Sequence, residues 1–466
     1  MNTVWLSNVL VSVCCWLGVS LFAFGQTNPS KNYAGDHRKP NIVIIMADDL
    51  DSKQLSCYGG QNLKTHHIDE LAASGMRFTN MIASEAMCVP TRASLFTGLY
   101  PARHGAYQNH KAVNDGLKSV CHYLADLGYR VGLTGKNHVT KPREIFPFDI
   151  VPGFEPNCVK RTDDYFLDSI ERYITAPEPY CLFVMSINPH VPWTAGDPSE
   201  FDPQKLILPA HWVDTPVTRR NFANFLAEIR RLDNQVGDVM KMLEKNGQLD
   251  NTIVMFLGEQ GPQFPRGKWT LWDYGQRSSM IVRWPGVVGK GSTSEALAQY
   301  EDVVPTLIEI AGGQKRDDLD GISFLSVLKN GGLGARQYAY GIHNNIPAGT
   351  AYPIRSIRDR DYKFIWNLSP EREFYVKMMN PQSKGSLWNT WVNRANRDPE
   401  AERKVRQFVK RPEFELYDLK SDPSEMNNLA GNPKYTRQLT SYKKQLEQWM
   451  GQQGDPGAAL DVELNK

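Results

Sequence analysis

Cys88-Val89-Pro90-Thr91-Arg92-Ala93-Ser94-Leu95-Phe96-Thr97-Gly98 is the stretch from which the architecture of this chain is read. Proline is favoured as a first helical residue and glycine just past the last. A short helix is therefore predicted from Pro90 to Thr97, with Cys88 directly ahead of it. The unpaired N–H groups of a helix start favour an anion. Arg92 follows Cys88 by four residues, so its guanidinium can reach back over the first turn. A nucleophile-type side chain in an anion-attracting cradle is one reading; a small buried hydrophobe beside a helix start is the other.

Upstream, Asn41-Ile42-Val43-Ile44-Ile45-Met46 is a continuous apolar run of the kind found in parallel strands covered on both faces. Asp48 and Asp49 follow it directly. Ligands of open α/β sheets bind beyond the carboxyl ends of the strands, so this is a place for chemistry. Two adjacent carboxylates repel unless a hard cation such as Ca²⁺ takes oxygens from both, whereas a single Asp here would read as a turn or helix cap. Three further predicted strands end in polar residues of the same kind. Tyr129 to Thr134 leads to Gly135-Lys136-Asn137-His138, Cys181 to Ile187 to His190, and Thr252 to Leu257 to Glu259-Gln260, with Lys268 soon after. Taken singly, such lysines are surface charges and such histidines structural; their recurrence at one end of successive strands is what points to a site.

The 466 residues exceed what one hydrophobic core usually serves, so two unequal domains are expected. A net charge of +2 excludes a nucleic-acid or polyanion binder acting through bulk charge, leaving any anionic substrate to a local cluster of cations. Val9 to Phe24 is an apolar run followed by a polar segment. It is read as a secretory signal covering residues 1–25, with a periplasmic or secreted product that is not an integral membrane protein. Cys57, Cys88, Cys121, Cys158 and Cys181 beyond it are too scattered for a dense disulfide framework; Cys121 and Cys181 are expected in the core.

An α/β catalytic domain is predicted over 26–340, its helices including about 218–245 and Asp302 to Ala311. After the glycine-rich stretch at Asn330 to Gly334 the pattern changes. Ser356 to Leu368 and Phe414 to Leu419 alternate like half-exposed strands, and Tyr435 to Met450 is an amphipathic helix. A smaller α+β domain over 341–466, one antiparallel sheet with one packed helix, is the expectation.

Cys-x-Pro-x-Arg running into Leu-Phe-Thr-Gly resembles the signature of the type I sulfatases. Asp48-Asp49, Gly135-Lys136-Asn137-His138, His190, Glu259-Gln260, Lys268 and the tail Glu415-Leu416-Tyr417-Asp418-Leu419 occur in that family's order. Phe146-Pro147-Phe148-Asp149, Gly261-Pro262-Gln263-Phe264-Pro265 and Tyr352-Pro353-Ile354-Arg355-Ser356 are most similar to the heparan N-sulfatase subfamily. The resemblance implies an alkaline-phosphatase-like, mostly parallel sheet flanked by helices. It also implies oxidation of Cys88 to formylglycine by a formylglycine-generating or anaerobic sulfatase-maturating enzyme. Asp48, Asp49, Glu259, Gln260 and an oxygen of the modified Cys88 would hold Ca²⁺. Arg92 would orient the formylglycine diol, Lys136 and Lys268 would neutralise sulfate oxygens, His190 would protonate the leaving group, and His138 would help expel sulfate.

His343, Tyr352 and Arg355 are the residues that the resemblance offers as sugar contacts, with domain packing as their other reading. Glu259 and Gln260 depart from the family, where Asp and Asn or His are usual. They are read as a paired variant with the backbone set back, or as a damaged site. The activity implied is hydrolysis of the N-sulfate of glucosamine at the non-reducing end of heparan or heparin fragments. An O-sulfatase acting on a sulfated glycan, such as 6-O-sulfated glucosamine, and a glycan-binding pseudo-sulfatase are the alternatives.

Overall fold

The computed structural model describes residues 39–139, 141–160, 164–382 and 385–462, so the predicted signal at 1–25 lies outside the described residues. Eight strands form the larger sheet: β1 Asn41–Met46, β2 Met76–Ile82, β3 Arg130–Gly135, β4 Asp149–Ile150, β5 Tyr180–Met185, β6 Thr252–Leu257, β7 Arg277–Arg283 and β8 Ser292–Gln299. Their order is β4-β3-β5-β1-β6-β7-β2-β8. Only β7 runs against its neighbours, β6 and β2.

The apolar runs read as strands because alternate residues serve opposite faces. Val43, Ile45, Leu182, Val184, Val254 and Phe256 join one hydrophobic cluster, and Ile42, Ile44, Phe183, Met185, Met255 and Leu257 the other. The long helix Pro216–Lys245 covers the first face through Phe222, Phe225, Leu226, Ile229 and Leu232. The Cys88 helix and the helix Val303–Ile310 cover the second through Val89, Leu95, Phe96, Val304 and Leu307.

The second sheet is antiparallel, with β9 Ala339–His343, β10 Ile354–Arg358, β11 Tyr362–Asn367 and β12 Phe414–Asp418 in the order β12-β11-β10-β9. The alternating run expected as one strand from Ser356 is a hairpin. Asp359 Oδ1 accepts from the N–H groups of Asp361 and Tyr362, each at 2.8 Å, and closes the turn. The helix Thr436–Gln452 packs on this sheet through Tyr442, Leu446 and Trp449. Two helices that the sequence reading missed, Leu387–Ala395 and Pro399–Val409, lie between. A few large aromatics, Trp388, Trp391 and Phe408, do the burying there, so no dense apolar periodicity marks them. Trp391 Nε1 donates to Thr218 Oγ1 at 2.8 Å, tying them to the long helix.

Arg355 on β10 is fully buried and meets Asp455 through Nε at 2.5 Å and Nη2 at 2.8 Å. Arg355→Ala strands a buried carboxylate. It is expected to cost about 3–5 kcal/mol, read as an earlier midpoint in denaturant unfolding. No helix among the described residues is long and apolar enough to cross a membrane.

Candidate active site

Strand register builds the site. Met46 pairs with both Met185 and Leu257, and Gly135 with Met185, so β3, β5, β1 and β6 end level with one another. Lys136, Asp48 and Glu259, each just past one of those ends, are thereby gathered into one row. Gly135 has φ +86°, and a Cβ there would meet the Met185 carbonyl oxygen at 2.0 Å, so glycine alone lets Lys136 turn in. Asp49, His138 and Glu259 also have positive φ (64°, 62° and 111°), a strained geometry for side-chain-bearing residues that concentrates at functional sites.

The helix of the signature ends at Thr97 as expected but begins at Cys88 itself, two positions earlier than expected, with Pro90 third. Gly98 caps it at φ +72°, as expected. Cys88 is buried. Its Sγ lies 3.0 Å from Lys268 Nζ, 3.5 Å from Asp49 Oδ1, 3.6 Å from Asp48 Oδ1 and 3.6 Å from Gln260 Nε2. Burial alone would push the thiol up. The ammonium groups of Lys136 and Lys268 and hydrogen bonds from His138 and His190 prevail and hold it well below the ordinary thiol range. Residue 88 therefore sits where negative charge is stabilised.

The two acids each have their own cation. Lys136 Nζ is 2.5 Å from Asp48 Oδ2, and Lys268 Nζ is 2.7 Å from Asp49 Oδ1. Burial pushes Asp49 up to about 6 against the pull of Lys268, whereas Asp48 ends low because Lys136, His190 and Arg92 outweigh its burial. His190 is held up despite its burial, chiefly by Asp49, whose Oδ2 lies 3.6 Å from Nε2; its Nδ1 bonds the Val191 carbonyl. His138 is driven down by burial and by Lys136, against a hydrogen bond with Cys88.

Ligating atoms of Asp48, Asp49, Cys88 and His190 lie within 4.8 Å of one another. Gln260 adds its amide: Nε2 bonds Asp49 Oδ1, and Oε1 is buried with no hydrogen-bond partner. An orphaned amide oxygen beside two carboxylates suits a hard cation that takes oxygen ligands. Glu259 behaves differently from the expectation. Its Oε1 accepts from Arg92 Nε at 2.6 Å and its Oε2 from the Asp49 N–H at 3.0 Å. A buried carboxylate beside a guanidinium takes the charge-assisted bond first, and so Glu259 anchors Arg92 and the Asp49 backbone. Arg92 also donates to the Lys136 carbonyl at 2.6 Å, which locks three strand ends together. Glu259→Ala is expected to lower stability and activity together, by about 3 kcal/mol or more in unfolding free energy, because it leaves Arg92 buried without its principal partner.

The three sugar-contact candidates are placed in packing positions. Arg355 pairs with Asp455; Tyr352 is buried edge-on against Phe374; and His343, fully buried, lies 3.5 Å from Glu85 beneath the loop that leads into Cys88. None presents surface to a ligand, because all three side chains are buried in the packing around the second sheet. The structure adds one neighbour that no sequence signal marked: His110, in an aperiodic polar loop, contacts His138. The described cysteines are all free, with Cys121 and Cys181 buried as expected.

A family model described as "Sulfatase" matches residues 40–313, and one described as "N-sulphoglucosamine sulphohydrolase, C-terminal" matches 266–397. An ulvan-active sulfatase of Formosa agariphila is 34% identical over 90% of this chain and 81% of its own length. The human N-sulphoglucosamine sulphohydrolase is 27% identical over 90% and 91%. A solved structure of a protein in complex with its substrate D-glucosamine-2-N,6-O-disulfate superposes with a TM-score of 0.70 at 21% identity. It covers 90% of this chain and 99% of that one, a likeness of fold. With the signature residues converging at one sheet edge, the chain belongs to the sulfatase family.

Proposed function

We propose that this sulfatase releases sulfate from a sulfated glycan, cleaving the N-sulfate of glucosamine after secretion and maturation of Cys88. The observation that carries the reading is His190, which is held toward its protonated form beside the nucleophile position. An amine leaving from sulfur must be given a proton, and an acid so placed supplies it. The match of residues 266–397 to the N-sulphoglucosamine sulphohydrolase C-terminal model supports the same substrate. A second reading, an O-sulfate of a glycan, is favoured by the 34% identity to the ulvan-active relative.

Cys88 matured to formylglycine would supply a hydrated aldehyde oxygen as nucleophile, and a calcium ion, which Asp48, Asp49 and Gln260 would hold, would supply positive charge at the sulfate. The chain's own groups do the rest. Lys136 and Lys268 flank the reacting sulfate, Arg92 holds the loop in register through Glu259, and His190 delivers the proton from Nε2 to the leaving atom. His138, which interacts with residue 88, serves the release of sulfate.

The deciding assay offers matured protein N-sulfoglucosamine, 6-O-sulfated glucosamine and ulvan oligosaccharides, and measures sulfate. Release from the first supports the proposal; release from either other substrate and not the first moves the assignment to an O-sulfatase. Chelation is expected to lower turnover by about 10²-fold or more, since a bound cation contributes several kcal/mol to such charge stabilisation. Calcium added back should restore it; activity indifferent to chelator would refute the metal assignment.

A further inference from the structure

We propose that His110 is a positioning residue, the last link of a hydrogen-bond relay that fixes which nitrogen of His138 carries the proton. The proposal rests on the sulfatase reading only for its kinetic test. The relay starts at the first turn of the Cys88 helix, where the Val89 N–H donates to Asn109 Oδ1 at 3.2 Å. Asn109 Nδ2 lies 3.4 Å from His110 Nε2, and His110 Nδ1 lies 3.2 Å from His138 Nε2, with the two rings 4.9 Å apart at 64°. Both histidines are held at positive φ, 68° and 62°.

One end of this chain has a fixed polarity. A backbone N–H can only donate, so Asn109 must turn its oxygen to Val89 and its amide N–H to His110. His110 Nε2 then accepts, its Nδ1 carries the proton, and His138 Nε2 accepts in turn. The neutral His138 ring is left with its proton on Nδ1, a nitrogen with no exposed surface, on a ring whose proton affinity Cys88 raises. An imidazole's tautomer is set by the bond its other nitrogen makes. His138 thus carries its proton on one fixed nitrogen, and the same helix that carries the nucleophile sets the orientation of the histidine serving it.

His110 is exposed, so its replacement does not threaten folding. His110→Ala is expected to lower kcat by about tenfold or more, the range found when a functional imidazole loses its orienting partner, with KM unchanged. His110→Gln, whose amide can still donate to His138, should recover most of that loss. Combined with His138→Ala, the His110→Ala change should add nothing further, since residues acting as a unit are not additive. Wild-type kcat in His110→Ala, a loss confined to KM, or additive losses in the double variant would each overturn the proposal.

A readout independent of turnover separates it from the sulfatase reading. Diethyl pyrocarbonate labelling of His138, followed by peptide mass spectrometry, should run several-fold faster in His110→Ala, because Nε2 is then uncovered. An unchanged rate overturns the relay even if the protein hydrolyses sulfates. Faster labelling in a protein that releases no sulfate sustains the relay and overturns the function.

Discussion

Cys88→Ala is expected to abolish sulfate release, lowering kcat by about 10⁴-fold or more, while leaving the fold and the affinity for a sulfated ligand nearly intact. Several buried polar groups converge on the Cys88 side chain. Lys268 lies 3.0 Å from Sγ, the carboxylates of Asp48 and Asp49 lie at 3.6 and 3.5 Å, and Gln260 lies at 3.6 Å. Removing the side chain leaves the cations paired with their own carboxylates, so the cluster itself need not collapse. Unfolding midpoints and turnover are therefore expected to separate in this variant. In protein from a host with the maturing enzyme, mass spectrometry of the peptide spanning Cys88 should show the lighter aldehyde in place of the thiol. A fully active Cys88→Ala protein would remove residue 88 from the chemistry altogether.

Lys268→Ala is the second large effect expected, a fall of about 10²–10³-fold in kcat/KM, the usual loss when one preorganised donor to developing negative charge is removed. Lys268 is buried, and its ammonium bridges Asp49 and the residue 88 side chain. Its pKa is raised well above the ordinary lysine value, because Asp49, Cys88 and Asp48 outweigh the cost of burying it. It is therefore charged throughout the working range and acts as a fixed point charge. Lys268→Arg is not expected to restore activity, since a planar guanidinium needs room and a fork-shaped partner that this site does not provide. Equal kcat/KM in Lys268→Ala and the parent would show that the residue only neutralises Asp49.

Much of the site was legible because its parts are local. Asp48-Asp49, Gly135-Lys136-Asn137-His138 and Glu259-Gln260 each follow an apolar strand directly, and the carboxyl end of a strand is where an open α/β sheet puts its chemistry. The signature helix announced itself through Pro90 and Gly98, and its start differed by two positions because helix ends are set by hydrogen bonding rather than by composition. Legibility failed where the deciding partner is remote in sequence. The Glu259–Arg92 pair spans 167 positions and is invisible to any local pattern. Arg355, a sugar-contact candidate by resemblance, gives its Nε and Nη2 to Asp455, 100 positions away. The helices carrying Trp388, Trp391 and Phe408 escaped notice because a few large rings bury a helix without the repeat that smaller side chains need.

Local sequence alone determined the strands, the capped helix of the nucleophile, and which acids, lysines and histidines would stand at strand ends. Alternation of side chains along a strand and the φ demands of proline and glycine act within a few residues. The tertiary structure alone decided which of those groups meet. The common register of β3, β5, β1 and β6 set Asp48, Lys136 and Glu259 side by side, Glu259 went to Arg92, and Gln260 kept an amide oxygen without a partner. Coulomb and hydrogen-bond energies depend on separations of a few ångströms, and only the packed sheet sets distances that short between residues so far apart in the chain.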